Sequence, residues 1–312
     1  MATILITGGT GLIGRTITRA LIARGDEVII LTRSKRKSDT KNLSYASWNP
    51  SEGTIDETAI GKADAIIHLA GANVAEKRWT RKRKLEIRES RVASGNLLAR
   101  SLQSVPNKVK CLVSASATGY YGPDPMVPNP RPFVESDPPG EDFLGSVAQE
   151  WEAAVAPVGL MNKKLAILRT GIVLSREGGA YPEFKKPLRY FISSILGNGK
   201  QVVSWIHIDD LVRLYVHVID KGLEGVYNAV APNPVSNKEL VEKLAKISNR
   251  VSIPLHVPSF VLKAVLGEMS IEVLKSTTVS SAKLQSQGFQ FLYPTIKEAL
   301  KELNAHSNSR SL

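Results

Sequence analysis

Short apolar runs alternate with longer amphipathic segments over roughly the first three quarters of the chain. The apolar runs predict strands at 3–7, 27–32, 43–47, 64–69, 109–115, 165–169 and 226–229. Amphipathic segments separate them, beginning with a helix predicted over 13–23. This alternation is typical of parallel strands joined by helices that cover both faces of one sheet. We therefore predict an α/β fold with a doubly wound parallel sheet.

The pattern changes after Pro232, where amphipathic spacing predicts helices at 236–249, 259–276 and 295–303. We interpret residues 1–231 as the sheet domain, with 170–210 contributing to a cleft, and 232–304 as a smaller, mostly helical lobe on the substrate side. Residues 305–312 are predicted to form a disordered tail. A stretch with seven prolines at 123–139 is too long for an ordinary connection and predicts a loop over the mouth of the cleft.

The first predicted strand runs directly into glycines at three-residue spacing, Gly8, Gly11 and Gly14. In a strand–turn–helix unit such glycines form a tight turn, admit a pyrophosphate to the backbone and let the helix pack closely. The helix N-terminus adds unpaired N–H groups and the positive end of the dipole. We expect the loop, including Thr10, Leu12 and Ile13, to bind a dinucleotide.

The end of the second strand indicates which dinucleotide this is. NAD sites usually place an acid there for the ribose hydroxyls, whereas NADP sites place an arginine for the 2′-phosphate. In this chain Thr32 occupies the acidic position, and Arg33 follows it at the head of a basic run. Guanidinium groups bind phosphate with two parallel hydrogen bonds. The sequence therefore favours NADP.

Composition limits the other possibilities. Among 312 residues, 43% hydrophobic, no apolar stretch approaches the roughly 18 needed to span a bilayer, and the chain enters a strand at once without a signal peptide. The single cysteine, Cys111, lies in a strand-like run, so we expect it to pack in the core. The five histidines are scattered along the chain and form no metal-ligand motif. We expect a cytoplasmic protein without a metal site or a membrane partner, either a monomer or a homodimer.

The formal net charge of +12 raises the question of a nucleic-acid partner. The basic run at 77–84 opens a segment with helical apolar spacing, which indicates the exposed first turns of an amphipathic helix. Because no nucleic-acid-binding motif is present, the charge favours an anionic cofactor or substrate instead.

Several longer motifs carry a family resemblance: the run Thr7–Gly14, then 68–71 (HLAG), 119–122 (GYYG) and 204–208 (SWIHI). With them the chain resembles extended or atypical short-chain dehydrogenases/reductases, in the branch called the NAD-dependent epimerase/dehydratase family. More narrowly, it is similar to "epimerase family" proteins with a C-terminal helical domain. This resemblance implies a Rossmann fold that binds a nicotinamide dinucleotide.

The resemblance also implies further cofactor contacts. Leu69 and Ala70, at the end of the fourth strand, would lie under the adenosine and pyrophosphate. Glu86 and Arg91, on the following helix, would meet the ribose and phosphates, and Val173 would lie behind the nicotinamide ring. The substrate would bind between the 116–121 strand end and the C-terminal lobe, with Trp205 and His207 partly buried near the nicotinamide.

Catalytic residues are where the chain departs from the family. Ser116 is the counterpart of the serine that holds the substrate oxygen, but the usual Tyr-x-x-x-Lys pair is replaced by Phe143 and Val147. Tyr121, or its neighbour Tyr120, is the nearest alternative acid/base. Two interpretations follow: an NADP-dependent oxidoreductase or epimerase-like enzyme acting on a small hydroxylated or carbonyl substrate, or a non-catalytic NADP-binding sensor or partner protein, such as a cell-division factor.

Overall fold

The computed structural model describes residues 1–34 and 36–305, so most of the predicted 305–312 tail lies outside the described residues. The strands are β1 (Thr3–Thr7), β2 (Glu27–Thr32), β3 (Leu43–Asn49), β4 (Thr54–Ile55), β5 (Ala65–His68), β6 (Cys111–Ala117), β7 (Lys164–Thr170), β8 (Ile172–Ser175), β9 (Gly178–Gly179), β10 (Ile192–Leu196), β11 (Val202–Val203), β12 (Trp205–His207), β13 (Gly225–Ala229), β14 (Val235–Ser236) and β15 (Ile253–Val257). The helices are α1 (Leu12–Ala23), α2 (Glu57–Lys62), α3 (Arg81–Ser104), α4 (Phe143–Val155), α5 (Ala180–Lys185), α6 (Ile208–Lys221), α7 (Asn237–Ile247), α8 (Ser259–Leu266), α9 (Ser270–Leu274), α10 (Ala282–Ser286) and α11 (Ile296–Ala305).

The main sheet has eight strands in the order β13-β7-β6-β5-β1-β2-β3-β4. Every neighbouring pair is parallel except the short β3–β4 pair. The chain proceeds from β1 outward through β2 and β3, then returns to the other side of β1 and proceeds through β5, β6 and β7. The order of connection therefore reverses between β1 and β5, which confirms the predicted doubly wound sheet and places its switch point there.

Apolar clusters cover both faces of this sheet. In β1, Ile4 and Ile6 pack toward α1 and α6, whereas Leu5 faces the opposite cluster under α2, α3 and α4. Because side chains alternate along a strand, a strand buried on both faces is apolar at successive positions, as the centre of this one is at residues 4–6. Cys111 lies in the first cluster, as predicted, and burial raises the pKa of its thiol to about 11.

All seven predicted strands are present, with ends within two residues of the predictions. The predicted helix over 259–276 is wrong, because α8 ends at Leu266 and α9 is a separate short helix. Gly267 between them has a φ of 64°, a left-handed conformation that ends a helix. The sequence pattern also missed β15 in this region, a short strand that pairs in parallel with β10.

A third apolar cluster forms the core of the smaller lobe and draws on both sides of residue 231. It joins Leu174, Tyr181 and Trp205 to Leu240 of α7 and Leu300 of α11. Between α7 and α11 the chain contacts the sheet domain, because the side chains of 284 and 289 belong to its first cluster. The division at residue 231 stays a prediction, and the lobe itself includes segments that precede it.

The proline-rich segment 123–139 forms neither helix nor strand, as predicted, and is anchored to the C-terminal part of the chain. The buried carboxylate of Asp124 accepts hydrogen bonds from Asn129 Nδ2 (2.9 Å), Ser276 Oγ (2.7 Å), the Thr278 amide (2.9 Å) and Thr278 Oγ1 (2.7 Å). Phe133 pairs with Val279 by a parallel bridge. The loop is therefore held as firmly as the elements it connects.

Candidate dinucleotide site and the polar network beside it

The glycine loop between β1 and α1 is packed so closely that side chains are excluded. Gly8 has a φ of 69°, and a Cβ atom there would lie 2.8 Å from the carbonyl carbon of Leu69. A Cβ on Gly14 would overlap the carbonyl oxygen of Gly8. A Cβ atom on Gly11 would lie 3.3 Å from the same oxygen, which is a looser contact. The loop thus forms the cradle that the spacing predicted.

The N-terminus of α1 opens from this cradle without a cap of its own. Gly11 is the N-cap residue and supplies no side-chain hydrogen bond, and the first turn contains no acidic residue. Among the described residues, the amides of Leu12 and Ile13 donate to no protein acceptor, while the amide of Arg15 donates to the Gly11 carbonyl (2.9 Å). Such unpaired amides at the positive end of a helix dipole form an anion site.

Thr7 fixes the neighbouring strand end against the loop. Its Oγ1 accepts hydrogen bonds from the amides of Leu69 (3.1 Å) and Ala70 (3.2 Å) and lies 2.7 Å from Nδ1 of His68. Since both hydroxyl lone pairs are then used, the hydroxyl proton is donated to Nδ1. Burial, with a smaller effect from Arg91, lowers the pKa of His68 to about 3, so the imidazole is neutral. Leu69 and Ala70 are thereby held beside Gly8.

Arg91 lies beneath the segment that follows β5, whereas Glu86 points away from it. The Arg91 Nη1 atom donates to the carbonyls of Ala72 (3.1 Å) and Ile87 (2.9 Å), and its Cζ would be 3.1 Å from a Cβ on Gly71. Burial lowers the pKa of Arg91 to about 10, so it stays cationic at neutral pH. Glu86 is exposed and accepts a hydrogen bond from Arg83 (2.7 Å), which lowers the pKa of its carboxyl.

The β2 end leads into a basic groove. Thr32 Oγ1 accepts from the Ser34 amide (3.3 Å), and Arg33 is exposed. Because no helix forms over 36–42, the α1 side of β3 is left open as a groove of about 680 Å³. Its lining includes Gly9, Thr10, Arg15, Ile30, Arg36 and Tyr45. The predicted anion-binding end of the site therefore holds more guanidinium groups than Arg33 alone.

Val173 lies in β8, beside the start of α1. It pairs with Ile206 of β12 and packs partly against the first apolar cluster. The β8–β9 turn approaches the other end of the cradle, since the Leu12 side chain would contact Cβ atoms on Gly178 and Gly179 at 3.6 Å. The structure thus brings the glycine loop, Arg33, Leu69, Ala70, Arg91 and Val173 to the carboxyl edge of the sheet.

Ser116 lies on the same edge, but its hydroxyl is engaged in a buried ionic network. Ser116 Oγ donates to Glu152 Oε1 (2.6 Å), and Arg169 donates to both oxygens of that carboxylate (2.8 Å each). Ser116 and Arg169 are only 3% exposed. The serine therefore offers its lone pairs rather than its proton to any further partner.

Tyr121 belongs to the same network and is fully buried. Its hydroxyl donates to Asn228 Oδ1 (2.7 Å) and accepts from Arg169 Nη1 (3.0 Å). Burial raises the pKa of Tyr121 to about 12. A buried phenol with its proton already donated and a raised pKa is poorly suited to acid/base work near neutral pH, and this arrangement indicates a positioning role.

Phe143 and Val147 line an apolar cluster on the first turns of α4. The Phe143 ring packs edge-to-face on Trp79 (5.1 Å between centroids), and Val147 is buried beside Ile87. This cluster includes Met269 from the smaller lobe. Where the family pattern has a phenol and an ammonium, this chain therefore has an apolar contact with the smaller lobe.

Trp205 and His207 are more deeply buried than the partial burial that was expected, and their position near the nicotinamide end stays a prediction. Both are buried completely, at 0% and 1% exposure. The Trp205 Nε1 atom donates to the Asn233 carbonyl (3.0 Å), and His207 Nδ1 accepts from the Asp209 amide (3.2 Å) as the N-cap of α6. Asp209 and Asp210 occupy the first turn of that helix. Carboxylates that directly follow a strand are typical of a helix N-terminus, so the sequence alone indicates this structural role.

The sequence predicted no metal site, but the fold gathers three possible ligands, His207, Asp209 and Glu302, within 4.8 Å of one another. Each already has a structural partner, because His207 Nε2 contacts Glu302 (3.0 Å) and Glu302 also pairs with Arg176 (2.8 Å).

The residues that the sequence missed, above all Glu152, Arg169 and Asn228, share one signal: they are polar groups at the sheet edge or on the helix beside it.

Comparison with known proteins agrees with this architecture. The model of the "NAD dependent epimerase/dehydratase family" matches residues 4–142, and that of a domain of unknown function, DUF1731, matches residues 257–303. An epimerase family protein of Staphylococcus saprophyticus is 38% identical over 302 residues, which is 96% of this chain and 98% of the relative. The epimerase family protein YfhF of Bacillus subtilis is 34% identical, covering 97% and 98%.

Among solved structures, a human epimerase family protein, SDR39U1, determined with NADPH, superposes with a TM-score of 0.85 at 30% identity, covering 97% of this chain and 99% of that one. The fold and the glycine cradle thus define a chain of the short-chain dehydrogenase/reductase type. It belongs to the NAD-dependent epimerase/dehydratase family, among the epimerase family proteins that carry DUF1731 at the C-terminus, and the predicted resemblance is confirmed.

Proposed function

We propose that the protein binds NADP and catalyses oxidoreduction or epimerisation of a small hydroxylated or carbonyl substrate. The observation that carries this proposal is the glycine cradle at the switch point, joined to a β2 end that offers guanidinium groups and no acid. The human relative was solved with NADPH, which supports the same choice of cofactor for this chain.

The proposal assigns one contact to each of the residues that the structure brings to the sheet edge. The pyrophosphate would lie on the amides of Leu12 and Ile13, within the loop from Gly8 through Thr10 and Gly11 to Gly14. The adenosine would lie beside Leu69 and Ala70, with its 2′-phosphate at Arg33. Arg91 would add a positive charge below the phosphates, and Val173 would lie behind the nicotinamide. Glu86 would reach the ribose only after a side-chain rotation, because its carboxylate points away from the segment that follows β5 and accepts a hydrogen bond from Arg83. The cofactor would supply hydride exchange with the substrate.

Within this proposal, Ser116 and Tyr121 have different tasks. Ser116 already donates its proton to Glu152, so it would accept a hydrogen bond from a substrate hydroxyl and fix that oxygen. Tyr121 would act through Arg169, because it orients the guanidinium that holds Glu152 in place. We therefore propose Ser116 as the residue that contacts substrate and Tyr121 as a positioning residue.

One observation favours a second function, in which the protein binds NADP without turning over a substrate. Phe143 and Val147 are packed in an apolar cluster, and neither can exchange a proton. The protein would then be a sensor or partner whose assembly depends on the cofactor.

Two measurements test these proposals in order. Fluorescence titration with NADPH and NADH tests the cofactor, and tight binding of neither would refute both functions. A screen of aldehydes, ketones and nucleotide sugars, followed by NADPH absorbance, then separates them. Turnover that is lost in Ser116→Ala but retained in the distant Ser104→Ala control supports the enzyme. Binding without turnover, together with a cofactor-dependent change in oligomeric state, supports the sensor.

A further inference from the structure

The smaller lobe exposes a group of large apolar side chains that its own core does not cover. We define the lobe face by the side chains that share this exposure: Tyr190, Phe191, Val251, Ile253, Leu255, Phe260 and Val265. Each is between 51% and 86% exposed. Monomeric proteins rarely leave so many neighbouring apolar groups in water unless the surface binds something.

Strand pairing shows that part of the lobe face is continuous. Ile192 of β10 pairs with Ile253 of β15, and the Ile253 amide donates to the Phe191 carbonyl (2.9 Å). Leu255 lies two residues beyond Ile253, and side chains two apart share one side of a strand. The face then continues along the chain into α8, which begins at Ser259 and exposes Phe260.

The charged side chains nearest to the exposed apolar groups are cations. Residues 189–200 and 250–265, which include every side chain of the lobe face, contain Arg189, Lys200, Arg250 and Lys263 and no aspartate or glutamate, whereas acids stand further along the chain at positions 183, 242 and 268. Arg189, Arg250 and Lys263 flank the exposed apolar groups and are themselves exposed. Within residues 1–34 and 36–305, none of these three forms an ion pair with a carboxylate.

We infer that the lobe face binds the surface of an anionic lipid bilayer. Apolar side chains enter the boundary between headgroups and acyl chains while flanking cations contact anionic headgroups, which is how amphipathic surfaces lie on membranes. This is surface association only, since no helix in the described part of the chain is both long and apolar enough to cross a bilayer.

Charge also argues against a second copy as the occupant, because symmetric association would bring the same cations of both copies together. Strand addition at β15 is disfavoured as well, since Pro254 in its middle has no N–H to donate.

The test uses the full chain and a flotation assay with vesicles. We expect the protein to float with vesicles of phosphatidylcholine and phosphatidylglycerol, not with phosphatidylcholine alone, and to be released by high salt. Ile253→Ser/Phe260→Ser should weaken binding about tenfold or more, since two exposed apolar anchors are lost. The matched control Leu160→Ser/Leu292→Ser changes exposed leucines outside the lobe face and should bind as the unmodified protein does.

Charge is tested separately with Arg250→Gln/Lys263→Gln against Lys297→Gln, an exposed lysine on α11. Each cation near an anionic surface is worth about fivefold in binding. Unchanged melting temperatures verify that the variants fold. The inference is overturned if the unmodified protein does not float with anionic vesicles or if all variants float equally. It is also overturned if Ile253→Ser/Phe260→Ser instead dissolves a dimer, or if polyglutamate binds the face while vesicles do not.

Discussion

The preference for NADPH over NADH should depend on the Arg33 side chain. Arg33 follows β2 directly and is exposed. A hydrogen bond to a charged group is worth about 1.5–3 kcal/mol, and solvent exposure places this contact at the lower end. About 1.5 kcal/mol corresponds to roughly tenfold in affinity. We therefore expect NADPH to bind at least about tenfold more tightly than NADH, and Arg33→Ala to remove most of that difference.

The assay is a fluorescence titration of NADPH and NADH against the unmodified protein, Arg33→Ala and Lys297→Ala. Lys297→Ala is the control, because it removes one positive charge at a site remote from the cofactor. The affinity for NADH should stay within about twofold in every case, because NADH has no 2′-phosphate. Arg15→Ala and Arg36→Ala show how much of the residual preference comes from the basic groove. Equal affinities of the unmodified protein for NADPH and NADH would refute the reasoning. So would a preference that survives the loss of all three arginines.

Three further predictions concern the buried polar groups. Tyr121→Phe should lower the free energy of unfolding by about 1–3 kcal/mol, because Asn228 and Arg169 each lose a partner, and should leave NADPH affinity within about twofold. Chemical denaturation measures the stability, and fluorescence titration measures the affinity. Abolished turnover with unchanged stability would instead make Tyr121 a catalytic acid/base. Asp124→Asn should destabilise by about 2 kcal/mol, because a single amide oxygen cannot accept all four hydrogen bonds; an unchanged melting temperature would contradict this. The pKa of His68 is about 3 in the folded protein and has its ordinary value of 6.5 in the unfolded chain, so between these pH values only the unfolded chain binds a proton at this residue. The free energy of unfolding should therefore fall by about 1.4 kcal/mol for each unit by which the pH is lowered through this range. Denaturation curves of His68→Asn measured over the same range should lack this slope.

The elements that the sequence predicted best are those whose sequence pattern and whose contacts lie within one short stretch of the chain. The glycine loop, the strand before it and the helix after it occupy one short stretch, so spacing alone carries the geometry. The inner strands β1, β2 and β5 are buried on both faces and form apolar runs that stand out against amphipathic helices. Asp209 and Asp210 follow the same logic, because a helix N-terminus favours carboxylates wherever it occurs.

The elements that the sequence missed depend on partners far away along the chain. β15 is short and interrupted by Pro254, and it becomes a strand through pairing with β10. Glu152 resembles any helical glutamate until the fold brings Arg169 and Ser116 against it. Trp205 was placed near the cleft because its motif is distinctive, but a distinctive motif can equally specify a core, and here it fills the centre of the smaller lobe.

The missing catalytic pair shows the same dependence on surroundings. A lysine at position 147 would have to place its ammonium among Trp79, Ile87 and Met269, where desolvation strongly disfavours the charged form. The apolar cluster also includes Met269, so it joins α3 and α4 to the C-terminal part of the chain. The chain therefore differs from the family pattern in a whole packing environment rather than in two side chains. Any proton transfer in this protein must then use groups outside that cluster, and on the same sheet edge the structure offers the network of Ser116 and Glu152.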